Sequence, residues 1–170
     1  MVDSFGHNRD VSDVGEFVDA ALQYEASWAR AEEHQKRVGG DLQFYGSSIG
    51  AIRGTMRNAS LRFAGLGHDE ITALSSELWS VPVFERRLAA IVLLQFNLAL
   101  LRNSDLTRLE GFLRTAGAAE LAESLSADVI VPFIRALDEG SRTHAAVVLD
   151  RWSRDDNPWL RSAAAASDGL

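Results

Sequence analysis

The segment LAAIVLLQFNLALL, residues 88–101, is the longest apolar stretch in this chain of 170 residues. Gln95 and Asn97 interrupt it, and it is shorter than the roughly 20 residues that a helix needs to cross a bilayer. Pro82 stands just ahead of it, where the first turn of a helix tolerates proline. The segment therefore predicts a helix buried in a globular protein, from about Pro82 to Leu101, and no membrane span.

The residues before this segment predict three further helices. Apolar residues recur at three- and four-residue steps from a Ser12 cap as far as Trp28, which indicates one long amphipathic helix that ends at Gly39. The Ser47-Ser48 pair can cap a second helix, and His68 starts a third. The N-terminal half is therefore expected to be helical throughout.

The residues after the segment predict helices as well. The Ser104-Asp105 pair caps the first of them, Gly140 stops one and Ser141 caps the next, and Asn157-Pro158 begins the last. The β-branched patch at residues 129–131 resembles a strand, but the sequence offers no partner strand, so we assign it to a helix. These signals predict helices over residues 106–114, 118–126, 128–137 and 141–154, and a short one from residue 158.

About eight helices joined by short turns leave two arrangements, a compact bundle or an array of helix pairs. The chain advances by roughly 35 residues per pair, close to the ~40-residue period of HEAT-type repeats. We therefore predict an all-α fold, an α-solenoid of HEAT-like repeats in a single domain, whose curved inner face is the expected binding surface. Within it we expect an N-terminal helix in residues 1–40, a repeat array in 41–166 and a frayed tail in 167–170.

Charge and composition limit the function. The chain has 17 basic and 24 acidic side chains and a net charge of −7, which argues against non-specific binding to nucleic acid. Lys36 is the one lysine, and the other basic residues are arginines, which suit bidentate phosphate contacts. A GC-rich coding sequence would produce the same bias. The absence of cysteine excludes disulfides, thiolate metal sites and a cysteine nucleophile.

Several classes of site lack their sequence signals. The four histidines, at positions 7, 34, 68 and 144, form no pair spaced for a metal on one helix face, so we expect no metal. A strand followed by a Gly-rich phosphate loop is missing, so we expect no nucleotide cofactor. The chain does not open with a basic and then an apolar run, so we expect no signal peptide and a cytoplasmic location.

Four stretches, in this order and spacing, resemble the bacterial DNA alkylation repair family, the HEAT-like-repeat glycosylases of the AlkD type. The most specific features are Leu-Trp followed by Phe-Glu-Arg-Arg in residues 78–87, and Trp-Ser-Arg-Asp-Asp followed by Trp-Leu-Arg in residues 152–161. The resemblance runs from about residue 41 to the C-terminus. The stretches are DLQFYGSSIGAIR (41–53), LWSVPVFERRLAAIVLLQF (78–96), DLTRLEGFLRTAGAAELAESLS (105–126) and VVLDRWSRDDNPWLRSAA (147–164).

The resemblance implies a solenoid whose concave basic face grips duplex DNA and releases N3- or N7-alkylated purines. In the family, a Trp-Asp-x-x-Asp pattern and a later tryptophan supply a carboxylate near the sugar and aromatic faces for the cationic base. The matching run here places Ala119 at the tryptophan and Glu123 at the sugar-facing aspartate. It implies Glu123 as the electrostatic stabiliser and Glu120 as a helper, with Trp159 and Trp152 as the candidate aromatic contacts.

Arginines recur once or twice per helix pair, as a groove that follows a phosphate backbone requires. Solenoids also expose arginines for solubility, so a continuous basic face stays a prediction. The candidate DNA contacts are Arg53, Arg57, Arg86, Arg87, Arg114, Arg151, Arg154 and Arg161.

Each candidate has a structural alternative. Glu120 and Glu123 are also typical of a solvated helix face, and Trp79 and Trp152 of repeat packing. Glu85 can pair with the adjacent arginines within its helix or between repeats. Three functions therefore remain: a divergent DNA glycosylase, a solenoid that binds DNA or protein without chemistry, and a small-molecule-binding solenoid. Double-stranded DNA is the expected partner, a membrane is not, and an uncapped C-terminal end predicts a homodimer.

Overall fold

The computed structural model describes residues 11–168, and α-helices account for most of this part of the chain. His7 and the end of the predicted tail, residues 169–170, lie outside the described residues. The helices are α1 (Val11–Tyr24), α2 (Trp28–Val38), α3 (Ile49–Arg62), α4 (His68–Ser80), α5 (Phe84–Phe96), α6 (Leu106–Arg114), α7 (Ala119–Leu125), α8 (Val131–Ala136), α9 (Glu139–Ser153) and α10 (Pro158–Ser167).

The helices form successive pairs that stack in two layers. The first layer contains α1, α4, α6 and α9. Within it, the Trp79 ring of α4 stacks on the Phe112 ring of α6, with centroids 4.4 Å apart. The second layer contains α3, α5, α7, α8 and α10, with α5 packed against both α3 and α7. Each pair takes one helix from each layer, which is consistent with a helical-repeat solenoid. The named elements of residues 11–168 are all helices, so the predicted all-α fold is confirmed.

Helix α5 is the central helix that the apolar segment predicts, but it is shorter. Every residue from Phe84 to Leu94 except Leu88 is buried. Helix α5 ends at Phe96 because Asn97 leaves the helical conformation and donates its side-chain amide to the Leu93 carbonyl, 2.8 Å away. Its start also comes later than Pro82, whose carbonyl accepts the Gln43 N–H in an extended connection. The predicted range of 82–101 was therefore too long at both ends.

The prediction of one long N-terminal helix was wrong, because the chain breaks after Tyr24. Ser27 is extended and caps α2 through its hydroxyl, which accepts the Arg30 N–H. The Ser27 N–H itself donates to the Tyr45 carbonyl. Gly46, at φ +81°, lies so close that a Cβ atom there would collide with the Ser27 carbonyl oxygen. This packing from residues 45–46 ends α1 and turns the chain into α2.

Residues 119–136 form one continuous helical run rather than the two predicted helices. Between α7 and α8, a π-helical turn spans Ser126–Ile130, and the Val131 N–H reaches the Ser126 carbonyl five residues back. Pro132 follows directly and has no N–H to continue the regular pattern. The β-branched patch lies in this run, which confirms its helical assignment.

Helix starts after residue 100 follow the predicted signals in part. Helix α6 has the predicted bounds, and Asn157 caps α10 with Pro158 as its first residue, as predicted. Helix α9 begins at Glu139 instead, because the Asp138 carboxylate accepts the Ser141 N–H and Gly140 lies inside the helix. Of the predicted tail, Ser167 is the last residue of α10.

Candidate functional site

The two candidate carboxylates lie on the first turns of α7. Gly117, at φ +74°, and an extended Ala118 turn the chain into this helix, which places Ala119, Glu120 and Glu123 on one exposed face. Negative side chains are favourable here because the N-terminus of a helix carries a partial positive charge. The carboxylates therefore stand on the solvent side of the second layer.

Glu120 and Glu123 differ in what they contact. Glu120 pairs with the guanidinium of Arg37, which reaches it from the last turn of α2. The side chain of Glu123 makes no hydrogen bond or ion pair with any other residue in the described part of the chain. Glu123 is therefore a negative charge available to a ligand, whereas Glu120 is already partly neutralised.

The surroundings of Glu123 are small and polar. Ala119, one turn earlier, is exposed and leaves no aromatic ring beside the carboxylate. One residue later, the Ser124 hydroxyl donates to Asp128 at 2.7 Å, inside the π-helical turn. Such turns interrupt regular helices and are frequent at functional sites. This face can place a carboxylate next to a cation, and Ala119 adds no cation–π contact to it.

Arg53 and Arg57 are the two predicted arginines that are exposed on the second layer without an acidic partner. They lie one turn apart on α3, on the same helix face. Arg53 makes a long hydrogen bond of 3.4 Å to the Gln95 side chain, and Arg57 makes no side-chain contact of this kind within residues 11–168. Both guanidinium groups are thus available to a phosphate.

Arg86 and Arg87 are buried, so their role is structural, but neither forms the predicted ion pair with Glu85 in the described part of the chain. Arg86 pairs with Asp19 at 2.8 Å and ties α5 to α1. Arg87 donates to the carbonyls of Trp79 and Thr115, and its guanidinium lies over the Trp79 ring, 5.3 Å from the centroid. Burial lowers the pKa of Arg87. Both arginines join helices and do not reach the surface that carries Glu123.

The remaining predicted arginines gather where α6 and α9 end. Arg114 holds the Asp155 carboxylate with two hydrogen bonds of 3.1 and 2.6 Å, and this lowers the pKa of Asp155 to about 2. Arg154 pairs with Asp150 on its own helix, and Arg161 donates to the carbonyls of residues 155 and 156. These side chains are exposed, but each already has a partner.

Glu110 is the centre of this group. Its carboxylate accepts the Trp152 indole N–H at 2.9 Å and hydrogen bonds from Arg114 and Arg151. Burial opposes the negative charge, but the bonds from Trp152 and Arg114 outweigh it and lower the pKa of Glu110. Glu110 thereby joins α6 to α9, a role that its sequence context did not indicate.

The tryptophans divide between core and surface. Trp152 is fully buried, as the repeat-packing alternative holds, and its ring is not accessible to a ligand. Trp159 is half-buried at the start of α10. Trp28 was not a candidate, yet its side chain is 81% exposed at the start of α2. Among the four tryptophans, Trp159 and Trp28 are therefore the ones with accessible rings.

Arg37 is the residue that sequence reasoning missed. It lies in the segment before residue 41, where the family resemblance was not noted, and its partner Glu120 is 83 positions away. Its neighbours in the sequence, Lys36 and the glycines that end α2, gave no indication of that contact. The structure thus adds a guanidinium to the face that carries the candidate carboxylates.

Within residues 11–168, no three histidine or acidic side chains are grouped so that they could hold a metal ion. Nor does any helix in this range have both the length and the apolar content for a membrane crossing.

Comparison with known proteins connects this geometry to a family. A family model described as DNA alkylation repair enzyme matches residues 18–167, which includes α2 to α10 and therefore Arg37, Glu120 and Glu123. A search of curated proteins found no match. Since the matched region is nearly the whole chain, the protein belongs to the DNA alkylation repair enzyme family.

Proposed function

We propose that this protein is a DNA N-glycosylase that releases cationic alkylated purines from duplex DNA. Its family supports a general role in DNA alkylation repair. The observation that carries the finer proposal is Glu123, an exposed carboxylate without a partner among the described residues. It lies on the same layer as the unpaired guanidinium groups of Arg53 and Arg57. A free negative charge on the same layer as available phosphate contacts suits a cationic substrate on DNA.

The reaction needs one well-placed carboxylate. An alkylated purine already carries a positive charge, so it leaves as a neutral base with the electron pair of the glycosidic bond. The sugar then carries the positive charge, water adds to its C1′ atom, and the proton of that water goes to solvent. A carboxylate about 4 Å from this charge contributes about 4 kcal/mol at an effective dielectric constant of ~20. Because the carboxylate also attracts the cationic base before the bond breaks, only the difference between the two states lowers the barrier, and the gain in rate is at most about a thousandfold.

Arg53 and Arg57 would hold the strand that carries the damaged base. Two guanidinium groups one helical turn apart can bind neighbouring phosphates, and such contacts position DNA without reading its sequence. The negative charge of the whole chain does not prevent this, because local placement governs the contact. In this arrangement the Glu120 carboxylate makes the electrostatic potential near Glu123 more negative, which favours a bound cation.

The test is release of base from a duplex that contains a single 7-methylguanine or a bulky N7 adduct. Wild-type protein should release the base and leave an abasic site. Glu123→Gln should lose most of this activity, while Glu16→Gln, which removes an exposed carboxylate from α1 in the first layer, should keep it. If wild-type protein releases no base from any of these duplexes, the glycosylase proposal fails.

A second candidate function is DNA binding without chemistry. Ala119 and the buried ring of Trp152 favour it, because they leave the carboxylate without an aromatic wall. A desolvated cation–π contact contributes about 2 kcal/mol, so its loss would slow the reaction. Wild-type protein that binds the duplex tightly but never releases the base would support this alternative.

A further inference from the structure

Helix α2 is attached to the rest of the protein by few contacts. None of its 11 residues is buried. Gly39 and Gly40, which follow it, both have positive φ, and no atom lies within 4 Å of a Cβ built on Gly39. A helix of this length is marginal without packing. Its position therefore depends on the polar contacts at its two ends, on His34, whose ring lies edge-on to Phe44 and 3.9 Å from the Glu85 carboxylate, and on the partly buried Val38.

The start of α2 is anchored on a buried carboxylate. Glu85 is fully buried, and its two oxygens accept the N–H groups of Tyr45 and Gly46 at 3.0 and 2.8 Å. The Arg30 guanidinium in turn donates to the Gly46 carbonyl at 2.6 Å. The turn at residues 45–46 thus fixes the first half of α2 against α5.

The end of α2 is held differently. Gln35 donates to the nearby Gly40 carbonyl, and Lys36 pairs with Glu32 on the same helix. In the described structure, the last turn of α2 makes one polar bond to another helix, from Arg37 to Glu120. The two side chains are 53% and 43% exposed, so water competes for both. Exposed pairs of this kind shift an equilibrium by only about two- to fivefold.

We propose that Arg37 is a DNA contact that Glu120 masks in the free protein. This rests on the proposed function, because the competing partner is a phosphate of duplex DNA. When DNA reaches the face of α7, the guanidinium moves from the Glu120 carboxylate to a backbone phosphate, which it can bind bidentately. Glu120 then stands unpaired one turn from Glu123, where it adds negative potential for the cationic base.

The test is a double-mutant cycle on the binding of undamaged duplex, read by fluorescence anisotropy at several salt concentrations. Arg37→Ala should weaken binding and reduce the slope of log affinity against log salt by about 1. Glu120→Gln should tighten binding about two- to fivefold, because it frees Arg37. In the Arg37→Ala background, Glu120→Gln should have no effect.

A neighbouring residue supplies the matched control. Lys36→Ala removes the same charge from the same turn but leaves the Arg37–Glu120 pair intact. Glu120→Gln should still tighten binding in this background. Circular dichroism spectra should be the same for all variants, because both side chains of the pair are exposed.

The outcomes separate this inference from the proposed function. If Glu120→Gln changes affinity equally with and without Arg37, its effect is general charge and the masking inference is overturned. A salt slope that Arg37→Ala leaves unchanged overturns it as well. If wild-type protein does not bind duplex DNA at all, the proposed function itself fails, and the inference fails with it.

Discussion

Replacement of Glu110 by alanine tests how the structure joins α6 to α9. The Glu110 carboxylate accepts the Trp152 indole N–H at 2.9 Å, and Trp152 is fully buried. Without an acceptor, this donor costs about 1–3 kcal/mol. The bonds from Arg114 and Arg151 add little, because water competes for both exposed arginines. We therefore expect Glu110→Ala to lower the free energy of unfolding by about 1–3 kcal/mol.

Equilibrium unfolding in urea measures this difference, with Glu110→Gln as the control. Glutamine keeps the length of the side chain and an oxygen that can accept the indole N–H, so its loss should be about 1 kcal/mol or less. In a Trp152→Phe background the donor is absent, and Glu110→Ala should cost much less. If alanine and glutamine at position 110 prove equally destabilising, the indole hydrogen bond is not what joins α6 to α9.

The same carboxylate predicts a dependence of stability on acid. The folded protein lowers the pKa of Glu110 below its ordinary value of 4.5. The unfolded chain therefore binds the proton more readily, so this contribution is present above pH ~4.5 and is lost as the pH falls through the lower, folded pKa. Urea unfolding between pH 6 and pH 3 should show a steeper loss for wild-type protein than for Glu110→Ala.

Three further predictions concern other parts of the molecule. His68 donates its ring N–H groups to the carboxylates of Asp69 and Asp105, which raises its pKa above 6.5. Its stabilising contribution is therefore present below that pH and is lost as the pH rises through the raised value. Urea unfolding from pH 5 to 9 should show this loss, and His68→Gln should abolish it. Gly46→Ala should destabilise the protein and increase hydrogen exchange in α2, because Gly46 has a φ of +81° and the new methyl group would collide with the backbone of Ser27. Unchanged exchange in α2 would contradict the docking of this helix on the turn at residues 45–46. Arg57→Ala should weaken binding to all duplexes alike and reduce the salt slope by about 1, and a sequence-dependent loss would contradict a phosphate contact.

Local signals in the sequence predicted those elements whose ends depend on neighbouring residues. Ser48 caps α3 and Asn157 caps α10 with their own side chains, so both starts could be read from short stretches. The break between α1 and α2 could not, because it arises from Gly46, which packs against Ser27 from 19 positions away. The sequence around Ser27 alone continues an amphipathic pattern.

The candidate site shows the same limit. The face that carries Glu123 follows from its position on a helix, which periodicity predicts. Arg86 and Arg87 were predicted as DNA contacts or as partners of Glu85, yet their guanidinium groups bond to carbonyls and to Asp19 between helices, and these bonds exist only once the helices have packed. The pairing of Arg37 with Glu120 likewise depends on the path of the chain between them. Burial and long-range pairing are properties of the packed repeats.

The central claim is that Glu123 stabilises positive charge on the sugar during base release. Single-turnover release of 7-methylguanine, with protein in saturating excess over duplex, tests it most directly because weaker binding cannot then lower the rate. We predict that Glu123→Gln slows this step by up to about a thousandfold while Glu123→Asp, which keeps a carboxylate, retains much of the rate. A Glu123→Gln protein that releases base as fast as the wild type would contradict the claim.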